Sequence, residues 1–219
     1  MPQKFEEEYW KFEERIRQYD LENLGGYYEQ ALQDIEKEKT IGTSLILDVG
    51  CGYGYLIQVC GKKGYKCIGV DISKYASLKN RGKSSEVILC NIQSTLPLKP
   101  ESIDIAIMLD VLEHLHKPSL ALEEIKRVLR PEGLLYIATP NLSALARLLK
   151  GRNWYGYLDK THVSLFTCFS LKKLLEKNKF KILKCYTPFS FLRKRKVILK
   201  ALGRTYLGGQ IRLIAKKLT

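Results

Sequence analysis

The stretch Leu45-Ile46-Leu47-Asp48-Val49-Gly50-Cys51-Gly52-Tyr53-Gly54 decides the fold. Ser44 to Gly50 is a short continuous apolar run ending in an acid and a glycine, the pattern of a parallel strand buried on both faces. Three alternate glycines follow, and they let the backbone pass close to a ligand without Cβ clashes. A dinucleotide fingerprint needs G-x-G-x-x-G, yet the sixth position is Tyr55 counting from Gly50 and Ile57 counting from Gly52. The pattern here is D-x-G-x-G-x-G.

Working outward, the order of elements repeats. A helix is predicted over Tyr55 to Lys63, a strand over Lys66 to Val70, a helix over Lys74 to Lys79 and a strand over Glu86 to Cys90. After a loop at Pro97 to Ser102 come a strand over Ile103 to Leu109 and a helix over Ser119 to Leu129, stopped by Arg130-Pro131-Glu132-Gly133. Strands over Leu134 to Ala138, Lys181 to Tyr186 and Gln210 to Lys216, with a helix over Leu171 to Lys177, complete the set. This alternation predicts an α/β fold: a Rossmann-like, doubly wound, seven-stranded and mostly parallel sheet. The first 40 residues hold apolar positions at helical spacing on either side of Gly25-Gly26, which reads as a break between two helices of an N-terminal cap. One domain over 1–219 is expected, with the cap at 1–43, a cofactor-binding core at 44–140, and a substrate-side insertion and terminal strands at 141–219.

Composition agrees with one globular domain. The chain has 219 residues, 45% of them hydrophobic and 10% aromatic, which excludes disorder as a description of the whole. No apolar run approaches the roughly 20 residues of a membrane span, and Met1 to Trp10 is acidic rather than signal-like. A cytoplasmic protein is expected. Cys51, Cys60, Cys67, Cys90, Cys168 and Cys185 form no C-x-x-C pair and read as reduced core thiols, holding neither zinc nor disulfides. The net charge of +14 sits in the last third, where residues 141–219 carry 19 basic groups against Asp159 and Glu176 alone.

Gly69-Val70-Asp71-Ile72 ends a strand in a carboxylate about 20 residues after the glycine loop, where it can accept hydrogen bonds from ribose hydroxyls. A strand-end turn or a helix cap would use the same residue; the loop upstream favours the ribose role.

With these motifs in order, residues 45 to 186 and the final strand resemble the class I S-adenosylmethionine-dependent methyltransferases. The small-molecule branch, which includes the ubiquinone-pathway O-methyltransferases, is the nearest in pattern. The resemblance implies S-adenosyl-L-methionine as cofactor and S-adenosyl-L-homocysteine as product. It places Asp48, Gly50, Cys51, Gly52, Tyr53 and Gly54 beneath the methionine and ribose portions, and Asp71 with Ile72 at the ribose. Asn91 and Ile92 fall against the adenine; Asn91 departs from the commoner Asp, although its amide oxygen can still accept from the adenine amino group. Further collinear matches are Pro97-Leu98, Ser102-Ile103-Asp104-Ile105 and Leu109-Asp110-Val111-Leu112-Glu113-His114-Leu115, which adds Leu109 and His114 to the cofactor set.

Asp110, Glu113 and His114 form D-x-x-E-H, similar to an acid, acid and histidine cluster proposed to hold a divalent ion in some quinone-pathway members. We adopt the plainer reading, a polar floor of the cofactor site whose groups satisfy one another. A metal at these three residues is the alternative.

Beyond the fifth strand, Thr139-Pro140-Asn141 leads into an aromatic and polar insertion. Pockets of open α/β sheets lie beyond the carboxyl ends of the strands, so Trp154, Tyr155, Tyr157 and Asp159 are substrate candidates, with Tyr27 and Tyr28 of the cap. His162, in an H-x-x-x-F-T stretch similar to one in related methyltransferases, is the candidate general base, because imidazole titrates near neutral pH. Fastening the insertion to the sheet would use it equally well. Cys51 and Cys90 fall within fold motifs and support no cysteine-nucleophile chemistry.

Placed on a helix, the basic segment around residues 191–204 sets Leu192, Ile198, Leu199, Leu202 and Tyr206 on one side and Arg193, Lys200 and Arg204 across from them, with Arg195 and Lys196 blurring the split. Such a segment can contact an anionic membrane surface or an anionic substrate, or be a solvated basic face. The reading is methyl transfer to oxygen or nitrogen of a small-molecule, sugar-containing or lipid-linked acceptor. An RNA methyltransferase is the alternative within the class; the base-amino and cytosine C5 types are disfavoured by the absence of their motifs, while ribose or unusual tRNA modification stays open. An NAD-dependent oxidoreductase and a cofactor-binding protein without turnover are the alternatives from other classes. Oligomeric state is not indicated.

Overall fold

The computed structural model describes residues 9–11, 21–79, 87–188 and 206–218. Its strands are β1 (Leu45–Val49), β2 (Lys66–Asp71), β3 (Val87–Leu89), β4 (Ile103–Leu109), β5 (Leu129–Pro140), β6 (Phe180–Tyr186) and β7 (Gln210–Lys217). They form one seven-stranded sheet in the order β3-β2-β1-β4-β5-β7-β6. β1, β2, β3, β4 and β5 pair in parallel, whereas β7 runs antiparallel to both β5 and β6. The helices are α1 (Leu21–Glu36), α2 (Tyr55–Lys62), α3 (Lys74–Lys79), α4 (Pro118–Val128), α5 (Leu145–Lys150), α6 (Tyr155–Leu158) and α7 (Cys168–Lys177).

Alternate strand residues feed two core layers, as the period of two requires. Leu47, Val49, Ala106, Met108, Leu135 and Ile137 pack on the side covered by α4 and α7. Ile46, Ile105, Ile107, Tyr136 and Ala138 pack on the side covered by α1 and α2. Each fully buried side chain of this size contributes about 1.5–3 kcal/mol of transfer free energy.

Helix ends follow local chemistry. Pro118 opens α4 at a position where its missing N–H costs nothing. Thr167 and Ser170 cap α7 reciprocally. Near the end of α4, Arg127 pairs with Glu124 and donates to the carbonyls of Leu96 and Leu98, which pins the loop before β4.

Two sequence expectations are corrected. Gly25-Gly26 is not a break: α1 runs through both glycines. Each costs about 1 kcal/mol against alanine in a helix, but Ala31, Leu32 and Ile35 of the same helix are fully buried on the sheet, and that burial outweighs the cost. Arg130-Pro131-Glu132-Gly133 ends α4 yet already belongs to β5, as an irregular stretch between the Ile103–Leu129 and Ile105–Leu134 pairs. Glu132 takes a positive φ there, and Arg130 clasps both carboxylate oxygens of Asp104 at 2.8 Å. The basic segment 191–204 lies outside the described residues. Among those described, no helix is long and apolar enough to cross a membrane.

Candidate active site

The carboxyl ends of β1, β2 and β4 meet at the glycine loop. Gly50 and Cys51 both donate their amides to the Val70 carbonyl, which ties the loop to the end of β2. Gly50, Gly52 and Gly54 all have positive φ, where an L side chain is strained. Space forbids a side chain as well: a Cβ on Gly50 would lie 2.4 Å from Val111, and one on Gly52 would lie 2.7 Å from the Trp10 ring.

Asp71 closes the loop from the next strand. Its Oδ2 accepts from the Gly52 amide and its Oδ1 from the Ser73 amide, each at 2.7 Å. Asp48, at the end of β1, is buried and lies opposite Gly69 of β2. Burial, with the charge of Asp71 adding, pushes its carboxyl up to about 8. Burial and the same two acids push the Cys51 thiol far up, so it stays protonated. Its sulfur fills the space where a Cβ on Gly69 would sit.

The remaining cofactor candidates lie along this edge. Ile72 is half exposed, Leu109 half-buried and Ile92 buried. Asn91 is exposed, and its Oδ1 accepts from the Gln93 amide, so the amide oxygen is already shared with a local turn. Residues 9–11 roof the loop: Trp10 stacks on Tyr53 at 4.7 Å and donates to Ser73 Oγ at 2.9 Å. Tyr9 meets His114 edge to face. Trp10 was legible as a cap aromatic, but its seat on Gly52 was not.

Beyond β4 the chain turns at Asp110, which has positive φ. The Asp110 carboxylate accepts from the Tyr27 hydroxyl and from Gln210 Nε2, both at 3.2 Å, and Gln210 also donates to Tyr27 at 2.7 Å. Burial and Asp110 hold the Tyr27 hydroxyl well above its ordinary pKa. Tyr28 is buried, tilted against Tyr55. Sequence reasoning missed Gln210, because nothing local marks a strand residue that reaches back across the sheet.

The insertion is wired to Glu113. Val163 and Ser164 donate their amides to the Glu113 carbonyl, and Thr139 Oγ1 donates to Glu113 Oε2 at 2.8 Å. The His162 side chain is 1% exposed. Its Nδ1 lies 2.9 Å from the Gly156 carbonyl, and its Nε2 lies 3.5 Å from Asp159 Oδ2 and 4.0 Å from Glu113 Oε1. Asp159 is buried; burial raises its carboxyl, but donation from the Thr161 hydroxyl and amide and the nearby imidazoles bring it below the usual range. His114 Nδ1 lies 2.7 Å from Thr161 Oγ1, and the His114 ring packs 4.8 Å from that of His162. Trp154 is fully buried inside the insertion, beneath Gly156 and between Tyr155 and Tyr157. Tyr155 and Tyr157 are exposed, as are Leu148, Leu149 and Leu158.

Asp110, Glu113 and His114 therefore do not form one cluster. The donor atoms that lie within 4.8 Å of one another belong to Glu113, His114 and His162. The three-residue set that the resemblance offers a divalent ion does not fit, because the Asp110 carboxylate is engaged by Tyr27 and Gln210.

Sheet order, glycine loop and strand-end acid together define a methyltransferase-type nucleotide site. The family described as "Methyltransferase domain" matches residues 15–184. The chain belongs to the class I S-adenosylmethionine-dependent methyltransferases. It is 29% identical over 120 residues to the rat mitochondrial ubiquinone biosynthesis O-methyltransferase, a match covering 51% of this chain and 35% of the relative. It is 26% identical over 173 residues to a malonyl-[acyl-carrier protein] O-methyltransferase of Hamiltonella defensa, covering 76% and 66%. The chain thus spans less than two thirds of these relatives' length. A SAM-dependent methyltransferase structure from Archaeoglobus fulgidus shares the fold at TM-score 0.73 and 22% identity, over 95% of this chain and 99% of that one. The [4+2]-cyclase SpnF shares it at TM-score 0.62 and 22% identity, over 86% and 80%, so the fold alone does not name a reaction.

Proposed function

We propose that the chain transfers a methyl group from S-adenosyl-L-methionine to oxygen, or alternatively nitrogen, of a small amphipathic acceptor, with sugar-containing and lipid-linked molecules the favoured classes. The observation that carries this reading is the cradle itself: three left-handed glycines under the end of β1, closed by an Asp71 carboxylate that bonds the loop on one oxygen and Ser73 on the other. In this reading Asp71 takes the ribose hydroxyls with its remaining lone pairs, Ile72 and Ile92 flank the adenine, and Asp48 faces the cationic methionine portion. The sulfonium already makes the methyl electrophilic, so alignment and exclusion of water are what the chain supplies. The Trp10 roof serves the second of these.

The acceptor class rests on the exposed surface of the insertion after β5. Leu148 and Leu149 are 65% and 79% exposed on α5, Tyr157 and Leu158 are exposed on α6, and Arg147, Lys150 and Arg152 lie along the same stretch, with Arg147 Nη1 3.5 Å from the Tyr157 hydroxyl. Apolar and cationic side chains interleaved in this way suit an anionic amphiphile. Asp110, held by Tyr27 and Gln210 at the end of β4, offers a polar contact for the acceptor's hydroxyl or amine.

Calorimetric titration with S-adenosylmethionine, S-adenosylhomocysteine and NAD tests the cofactor half. Binding of the first two without NAD is expected, and binding of NAD alone overturns the reading. Transfer of labelled methyl to phenolic, sugar and lipid-linked acceptors presented in anionic vesicles tests the acceptor half. Incorporation into tRNA alone would replace it with the nucleic-acid reading.

A further inference from the structure

The ends of β1 and β2 each place a carboxyl group in the glycine cradle, and the two are supported very differently. Asp48 pairs with Gly69, and Asp71 follows Gly69 by two residues, so both side chains project to the face covered by α1 and α2. The Gly52 and Ser73 amides donate to Asp71, and donors of that kind hold a carboxylate in its charged form. Asp48 is 4% exposed and accepts no hydrogen bond from any described residue.

The surroundings of Asp48 offer it no cation. From β2 it faces the Asp71 charge and the Cys67 thiol, and from the loop the Cys51 thiol, which stays protonated. β4 sets Ile107 beside it, and α1 and α2 close the same face with apolar side chains, the Tyr28 and Tyr55 phenols and the Cys60 thiol. Among the described residues no lysine or arginine is buried. Ionising Asp48 in the ligand-free chain would bury a second negative charge, without a donor, beside the first. The carboxyl keeps its proton instead, pushed up to about 8 by burial and by Asp71.

The S-adenosylmethionine reading of the cradle, on which this inference rests, sets Asp48 against the methionine portion, whose sulfonium and ammonium groups are positive at neutral pH. A cation there supplies the partner that Asp48 lacks and favours the ionised carboxyl. We infer that cofactor binding is coupled to proton release from Asp48: the carboxyl is neutral in the ligand-free chain, loses its proton to solvent as the cationic methionine portion enters, and takes one up again when that portion leaves. The cradle then selects a cationic nucleoside over a neutral one of similar shape, because only the cation offsets the ionisation of Asp48. The bound form prefers the charged carboxyl, so affinity rises with pH while the ligand-free carboxyl is protonated, by about tenfold per pH unit, and levels off near about pH 8.

Calorimetric titration of the full chain at about pH 6.5, in buffers of different ionisation enthalpy, counts the protons directly. S-adenosylmethionine should release about 0.9 proton per ligand bound. 5′-Methylthioadenosine, which keeps the nucleoside and lacks both positive charges, should release less than about 0.2 or bind too weakly to be measured. From about pH 5.5 to about pH 7 the affinity for S-adenosylmethionine should rise by at least about tenfold. In Asp48→Asn, the neutral isostere, the release with S-adenosylmethionine should fall below about 0.2 proton; the comparison of the two ligands on the wild type needs no variant to fold. A folded chain that binds neither ligand removes the cofactor reading and the coupling with it. Binding of S-adenosylmethionine with less than about 0.3 proton released, equal release with 5′-methylthioadenosine, or release unchanged in a folded Asp48→Asn would each overturn the coupling and leave the cofactor reading standing.

Discussion

Replacing Asp48 with asparagine should flatten the pH dependence of stability above neutral pH. Asp48 ends β1 among Gly69, Cys51 and the Asp71 charge, and its buried carboxyl is pushed up to about 8. In the unfolded chain the same group titrates near pH 4. Between those two values the native state holds a proton that the unfolded chain has released, so stability falls as pH rises, by about 1.4 kcal/mol per pH unit. The contribution is fully present below about pH 4 and is lost progressively until the native carboxyl itself ionises above about pH 8. From about pH 6 to about pH 9 the loss integrates to about 3 kcal/mol. Asparagine is the neutral isostere of the protonated form and carries no such dependence. Urea unfolding of both proteins at a series of pH values isolates the effect, because groups common to both cancel in the difference. The stability of Asp48→Asn relative to wild type should grow by about 3 kcal/mol across that window. A difference that stays flat to within about 0.5 kcal/mol, the usual additivity error, would show that Asp48 is ionised at neutral pH and would refute the reasoning.

Asp71→Asn sets an amide NH₂ against one of the two backbone donors at Gly52 and Ser73, and should weaken S-adenosylmethionine binding by about 1–3 kcal/mol in calorimetry; unchanged affinity in a folded variant removes its ribose role. Gly52→Ala puts a Cβ 2.7 Å from the Trp10 ring at a positive φ, so it should cost about 1–3 kcal/mol of stability and shift Trp10 emission to the red as the ring leaves Tyr53. Emission at the wild-type wavelength would mean that the roof does not rest on the loop. Gly156→Ala would place a Cβ 2.2 Å from Trp154 and should loosen the insertion, read as faster proteolysis around residues 150–160, with cofactor affinity unchanged; a parallel loss of cofactor affinity would show that insertion and cradle are one cooperative unit.

The cradle was legible in the sequence because its determinants are local. A buried parallel strand reads as a continuous apolar run, its turn as alternate glycines, and the partner acid falls one strand and one helix later, where β2 must end beside β1. Gly25-Gly26 misled because local propensity argued for a break, whereas the sheet face waiting for Leu32 and Ile35 decided for a helix. Propensity is worth about 1 kcal/mol per glycine, and the tertiary term is several times that.

D-x-x-E-H misled for a different reason. In a linear reading the three polar residues look like one set, and on a continuous helix Asp110, Glu113 and His114 would share a face. The chain instead leaves β4 at Leu109, takes a left-handed residue at Asp110 and enters a single turn at Leu112–His114. That one inverted φ sends the Asp110 carboxylate toward Tyr27 on α1 and Gln210 on β7, and sends Glu113 and His114 toward the insertion. The partners that define each group are then 100 residues away for Asp110 and Gln210, and 47 away for His114 and Thr161. Motif spacing carries no information at that range. A non-glycine residue held at positive φ between strand and site is strain of the kind kept at functional positions, and here it divides a carboxylate bonded to Tyr27 and Gln210 from a pair wired to the insertion.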